Sequence, residues 1–146
     1  MQKVHVSQVY DLDVETVFNA ISDHESFLSG GGLKCVLIKE GKHQRNGDGA
    51  IRKVISKKLT FIESIFEYEK NMRYSYLIQS TEPSQPLKHN KGWLDFTYKD
   101  GKTRVDWHSH FQITTPLIGG IIAWFVAKQL AKVFQNRLDF TKSSLK

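Results

Sequence analysis

The sequence predicts an α+β fold: a curved, seven-stranded antiparallel sheet that a long C-terminal helix closes over an apolar cavity. Three observations predict it. Segments of strand-like alternation follow one another closely from residue 33 to residue 113. After Pro116 the pattern turns helical and stays so to the end of the chain, about 25 residues. The residues that hairpin register gathers on one sheet face are mostly apolar with a few polar groups, the composition of a ligand pocket.

The elements follow in order. Val4-His5-Val6-Ser7-Gln8-Val9 alternates as a first strand. Asp13 is an N-cap candidate for a short helix that carries Val14, Val17, Phe18 and Ile21, with Glu15 in its first turn. Asp23 is placed to cap a second short helix through Phe27 and Leu28, which Ser29-Gly30-Gly31-Gly32 ends because glycine tolerates a sharp exit. Six strands are predicted at 33–40, 49–57, 59–69, 72–80, 89–99 and 102–113. Asp100-Gly101 is a two-residue hairpin signal, and Lys70-Asn71 marks another turn. Glu82-Pro83-Ser84-Gln85-Pro86 reads as a loop between strands. A sheet of this size cannot bury its inner face alone, so the long helix must cover it. No repeat or linker divides the chain, and residues 1–146 are expected to form a single domain.

A tight turn at Lys57-Lys58 sets Arg52 opposite Glu63, Val54 opposite Phe61 and Ala50 opposite Ile65. The Lys70-Asn71 turn sets Ile65 opposite Tyr76 and Glu63 opposite Ile78. Across Asp100-Gly101, Phe96 meets Val105 and Leu94 meets Trp107. The reverse face, with Asp95, Arg104, Asp106, His108 and His110, reads as solvated. The ligand-binding candidates are therefore Arg52, Phe61, Glu63, Ile65, Tyr74, Tyr76, Leu94, Phe96 and Trp107, with Ile122 from the helix. Arg52 and Glu63 read either as polar groups of the pocket or as an ion pair at the edge or outer face of the sheet.

Composition narrows the class. Forty per cent hydrophobic and 25% charged residues describe a globular chain, not a disordered one. The lone Cys35 lies in an apolar stretch, so a buried and inert thiol is expected, with neither disulfide nor thiolate metal site. The apolar stretch from Ile113 to Ala127 is broken by Thr114, Thr115, Pro116, Gly119 and Gly120 and is too short to span a bilayer. Residues 1–9 lack a signal-peptide pattern, which predicts a cytoplasmic protein. The net charge is +6, and the segment Lys34–Lys58 carries as much by itself. That charge favours solubility and weak contact with an anionic membrane surface; no nucleic-acid motif accompanies it.

Catalytic signatures are sparse. His108 and His110 share a face beside Asp106, but no further ligand converges with them, so no metal site is expected. No nucleophile elbow is present, and "SGGGL" and "GDGA" read as turns rather than phosphate or dinucleotide loops; no cofactor is expected. Acid–base work by Glu63 with Tyr74 or Tyr76 is conceivable, although a carboxylate paired with arginine is a poor base near neutral pH.

The succession "VETVFNAISDHESF", "GDGAIRKVI", "TFIESIFEYEKNMRYSYLI" and "GKTRVDWHSHF" ahead of a final helix resembles the START-domain-like SRPBCC superfamily, and within it the polyketide cyclase/dehydrase and lipid-transport group. The likeness covers nearly the whole chain. It implies a helix-grip fold with a deep cavity, and places Arg52 of "GAIR" and Glu63 of "TFIES" as polar features near that cavity. Such relatives include lipid carriers, hormone receptors, cyclases and parts of oxygenases, so the resemblance bears on fold more than on function. The expectation is a binder or carrier of a lipid, isoprenoid or polyketide-like molecule, as monomer or homodimer. The alternatives are a cyclase/aromatase-type enzyme using the same cavity, and a membrane-surface or protein-interaction module. The last rests on Ile121, Trp124 and Phe125, which point away from the sheet-facing stripe Ile122, Val126, Leu130, Phe134 and Leu138. They would gate the cavity, meet a membrane, pack in a dimer, or lie buried beneath the preceding loop.

Overall fold

The computed structural model describes residues 1–145. Its elements are β1 (Gln2–Tyr10), α1 (Val14–Ser22), α2 (His24–Phe27), β2 (Lys34–Lys39), β3 (Ile51–Ile55), β4 (Thr60–Glu69), β5 (Arg73–Glu82), β6 (Leu87–Lys99), β7 (Lys102–Ile113) and α3 (Gly119–Ser144). The strands form one antiparallel sheet in the order β1-β7-β6-β5-β4-β3-β2. The sheet curls around α3 in a helix-grip arrangement.

Local chemistry explains the element ends. The Asp13 carboxylate accepts the Thr16 N–H at 3.1 Å and caps α1. Asp23 does occupy the capping position of α2, but its side chain makes no capping bond. At the β6–β7 turn both Asp100 (φ 52°) and Gly101 (φ 76°) sit in the left-handed region, as a two-residue hairpin with the sheet's own twist requires. The β3–β4 hairpin pairs Arg52 with Glu63 and Val54 with Phe61, as expected from the turn at Lys57-Lys58. The β4–β5 hairpin pairs Ile65 with Tyr76 as expected, but it closes Glu69 onto Arg73 around three residues instead of two, and a bulge between Phe66 and Glu69 restores the register.

The C-terminal half of α3 grips the sheet tightly. Tyr10 Oη donates to the Leu138 carbonyl at 2.8 Å, Gln135 reaches the Ser7 carbonyl at 3.1 Å, and Phe134 stacks on Trp107 with centroids 3.9 Å apart. Helices α1 and α2 cover another part of the inner face. There Phe18 packs edge-on against Phe96, and Tyr74 Oη donates to the Ile21 carbonyl at 3.0 Å. Between these two packed regions the N-terminal half of α3 stands off the sheet, and the gap is a cavity.

Candidate functional site

The cavity measures about 310 Å³. Ile122, Val126, Leu130 and Phe134 of α3 form one wall. They recur every four residues, so they lie on one helix face. The sheet supplies Phe61, Trp107, Phe111 and Ile113, and Leu28 and Leu33 close the side next to the glycine loop.

Polar groups gather on the sheet wall. Arg52 is buried, with Nε donating to Glu63 Oε1 at 2.7 Å and Nη1 to His24 Nδ1 at 3.0 Å. A guanidinium only donates, so His24 Nδ1 must be unprotonated, and its Nε2–H donates to the Asn46 carbonyl at 2.9 Å. Burial, reinforced by the Arg52 charge, pushes the His24 pKa down to about 3. The Arg52 guanidinium also lies 4.7 Å from the centre of the Tyr76 ring. Gly92 makes room for that ring: a Cβ there would overlap it.

Tyr76 Oη accepts the Trp107 Nε1–H at 2.9 Å, and burial raises its pKa well above the usual phenol value. His89 stacks on Tyr76. Its Nδ1 accepts the Ile78 N–H at 2.9 Å, so Nε2 carries the proton and faces Ser109 Oγ at 3.1 Å. Burial, then the Arg52 and His110 charges, lowers the His89 pKa to about 4. Both imidazoles are therefore neutral near pH 7.

Of the ten candidates read from sequence, Arg52, Phe61, Glu63, Tyr76, Trp107 and Ile122 line the cavity. Ile65, Tyr74, Leu94 and Phe96 lie on the same sheet face but are buried in the packed core and do not line the cavity; Tyr74 and Phe96 meet α1 there. Arg52 and Glu63 form their ion pair on the inner face, which rules out the edge or outer-face placement. Sequence pattern does not single out His24, His89 or Ser109, which the fold brings to this polar cluster. On the outer face His108 is stacked between His5 and Trp93, at 4.2 and 4.6 Å between centroids. Among the described residues no three His, Cys, Asp or Glu side chains come together to hold a metal ion. Cys35 is buried, and desolvation raises its pKa to about 11.

At the start of α3, Leu117, Ile118, Ile121, Trp124 and Phe125 are exposed, so burial beneath the preceding loop is overturned. Lys128 Nζ lies 3.9 Å from the centre of the Trp124 ring. No described helix is long and apolar enough to cross a membrane.

Comparison with known proteins agrees with this architecture. The family model for polyketide cyclase / dehydrase and lipid transport matches residues 1–146. Among solved structures, a protein from Thermus thermophilus superposes with a TM-score of 0.76 at 15% identity, covering 97% of this chain and 95% of its own. A START superfamily protein from Mycobacterium smegmatis gives 0.75 at 12% identity over 99% of both chains. XoxI from Bacillus cereus gives 0.71 at 14% identity, covering 99% of this chain and 95% of its own. At these identities the likeness speaks for the fold alone. No curated protein matches the sequence. With the family model spanning its full length, this chain belongs to the polyketide cyclase / dehydrase and lipid transport family.

Proposed function

We propose that residues 1–146 act as one domain that binds and carries a small hydrophobic ligand, of lipid, isoprenoid or polyketide-like chemistry, in the cavity beneath α3. The observation that carries this reading is a cavity of about 310 Å³ with apolar walls whose polar groups are already engaged with one another. Apolar walls supply affinity through surface removed from water, at roughly 25 cal/mol per Å². Cyclase-type catalysis in the same cavity needs a free proton donor or acceptor. Glu63 is instead bound to Arg52, His89 is held by Ile78 and Ser109, and the Tyr76 phenol, which accepts from Trp107, is made a weaker acid by burial.

The reading is tested by titrating the neutral fluorescent probe N-phenyl-1-naphthylamine into the wild type and into Val126→Trp. The indole would fill the gap from the helix side, and affinity is expected to fall by about tenfold or more, the equivalent of one lost apolar contact surface. Equal affinity in the two proteins, with both still melting cooperatively, would place the probe outside the cavity and defeat the reading.

The exposed patch supports a second, compatible role: transient docking of α3 on an anionic membrane, from which an apolar ligand would enter. Trp124, Phe125 and Ile121 provide an apolar face, and Lys128 and Lys132 the complementary charge. Vesicles containing phosphatidylserine should carry the wild type upward in flotation at low salt and lose it with Trp124→Ser. Flotation indifferent to both the substitution and the salt would contradict it.

A further inference from the structure

Arg137 sits on α3 beside the cavity with nothing to bond. It is 1% exposed, yet Nε, Nη1 and Nη2 all lack a hydrogen-bond partner, and it forms no salt bridge among the described residues. Its one close electronic neighbour is the Phe140 ring, 4.8 Å from Cζ. This contrasts with Arg52, the other buried arginine, whose Nε and Nη1 are both bonded. A buried cation without a counter-charge is costly, and a fold that keeps one leaves a place for an anion.

The surroundings suit an anion. Gly30 and Gly31, at φ of 126° and 60°, lie against the guanidinium, and Gly32 follows at 91°, a run of left-handed backbone that glycine adopts without strain. A Cβ at Gly30 would fall 2.7 Å from Arg137 Nη1, and one at Gly31 would fall 2.9 Å from Asn136 Oδ1. Gly31, Lys132, Val133, Asn136 and Arg137 line a small second pocket of about 200 Å³. Lys132 also forms no salt bridge among the described residues, so the pocket gathers two uncompensated cations and an amide. No acidic side chain lines it.

Two residues or sets of residues connect this pocket to the apolar cavity. Val133 lines both. The glycine loop does so as well: Leu28 before it and Leu33 after it line the cavity, while Gly31 lines the small pocket.

We infer that the pocket formed by Gly31, Lys132, Asn136 and Arg137 receives the oxyanion end of the ligand, so that the cavity's ligand is an anionic amphiphile, a carboxylate or phosphate ester on an apolar chain. This rests on the cavity-binding reading above. The tail occupies the space under Ile122, Val126 and Leu130. The head passes Val133 to meet Arg137, which lines the small pocket, in the fork geometry that matches carboxylate and phosphate oxygens.

The test compares displacement of N-phenyl-1-naphthylamine by dodecanoate, by 1-dodecanol and by inorganic phosphate at constant ionic strength. Dodecanoate is expected to bind the wild type about tenfold more tightly than dodecanol, as a charge-assisted hydrogen bond implies. Arg137→Gln should bring the two within about twofold while leaving dodecanol unchanged. Because Arg137 is buried, Lys132→Gln provides a second variant on the pocket rim, expected to reduce the preference in part. Lys53→Gln removes the same charge from β3 and should leave the preference intact. The inference is overturned if dodecanoate and dodecanol bind alike in the wild type, or if the preference survives in both Arg137→Gln and Lys132→Gln. It is equally overturned if inorganic phosphate binds through Arg137 while the tailed anion gains nothing over the alcohol, since the pocket would then serve a free anion. In each of those cases dodecanol binding still upholds the cavity reading. Failure of both tailed compounds to bind removes that reading and this one together.

Discussion

Glu63→Ala should lower the unfolding free energy by about 3–5 kcal/mol, the largest effect expected of any single substitution in the cavity wall. Glu63 is the carboxylate partner of Arg52, whose side chain is 1% exposed and cannot swing out to water. Truncation leaves the guanidinium with the neutral His24 imidazole and the Tyr74 and Tyr76 rings, and no counter-charge. The pair as a whole contributes far less than its breaking costs, because two charges have been taken out of water to make it. The double variant Arg52→Met/Glu63→Leu should therefore recover most of the lost stability. Urea unfolding of the three variants checks both statements. A Glu63→Ala protein within about 1 kcal/mol of wild type would mean that Arg52 finds another counter-charge.

The second large effect is loss of stability in mild acid. His24 and His89 have folded-state pKa values of about 3 and about 4, each pushed down chiefly by burial. An unfolded imidazole titrates near 6.5, so below that pH the unfolded chain takes up protons that the folded chain refuses. The stabilisation is complete above about pH 6.5 and is lost as the pH falls towards the folded values, amounting to several kcal/mol by pH 4. His108 and His110, also lowered by desolvation, act in the same direction but are more exposed and count for less. The Glu25 and Glu67 carboxylates, held low by hydrogen bonds, add their loss only below about pH 4.5. The histidines thus own the window between pH 6.5 and 5. Urea midpoints measured at pH 7.5, 6 and 5 should fall steadily, and His89→Gln should flatten the slope. A midpoint constant from pH 7.5 to 5 would mean that neither imidazole is held neutral.

These effects depend on contacts of different legibility in sequence. The Arg52–Glu63 pairing follows from a tight turn at Lys57-Lys58 and simple counting, because hairpin register is set by the turn. The long helix and the outward direction of Trp124 follow from helical spacing. Counting fails at His89. From Phe96, Leu94 and Gly92 it places Asn90 inward, but a bulge between His89 and Lys91 shifts the register so that His89 pairs with Phe111 and faces the cavity. No residue type in that stretch marks the bulge. Alternation also identifies a face without showing what covers it. Phe96, Tyr74, Leu94 and Ile65 share the inner face with Tyr76 and Trp107, yet the former are packed in the core, Phe96 and Tyr74 against α1, while the latter border the open space. His24 and Arg137 act through tertiary neighbours far away in sequence, Arg52 and the Gly30–Gly31 backbone respectively, and local pattern carries no trace of either.

The central claim is that the space under α3 holds an apolar ligand, and native mass spectrometry of the freshly purified protein, with an organic extract of the same sample, addresses it most directly. The account predicts a stoichiometric adduct that transfers into the extract and is missing from Val126→Trp. A wild-type protein of bare chain mass that also takes up no apolar compound when one is supplied would contradict it.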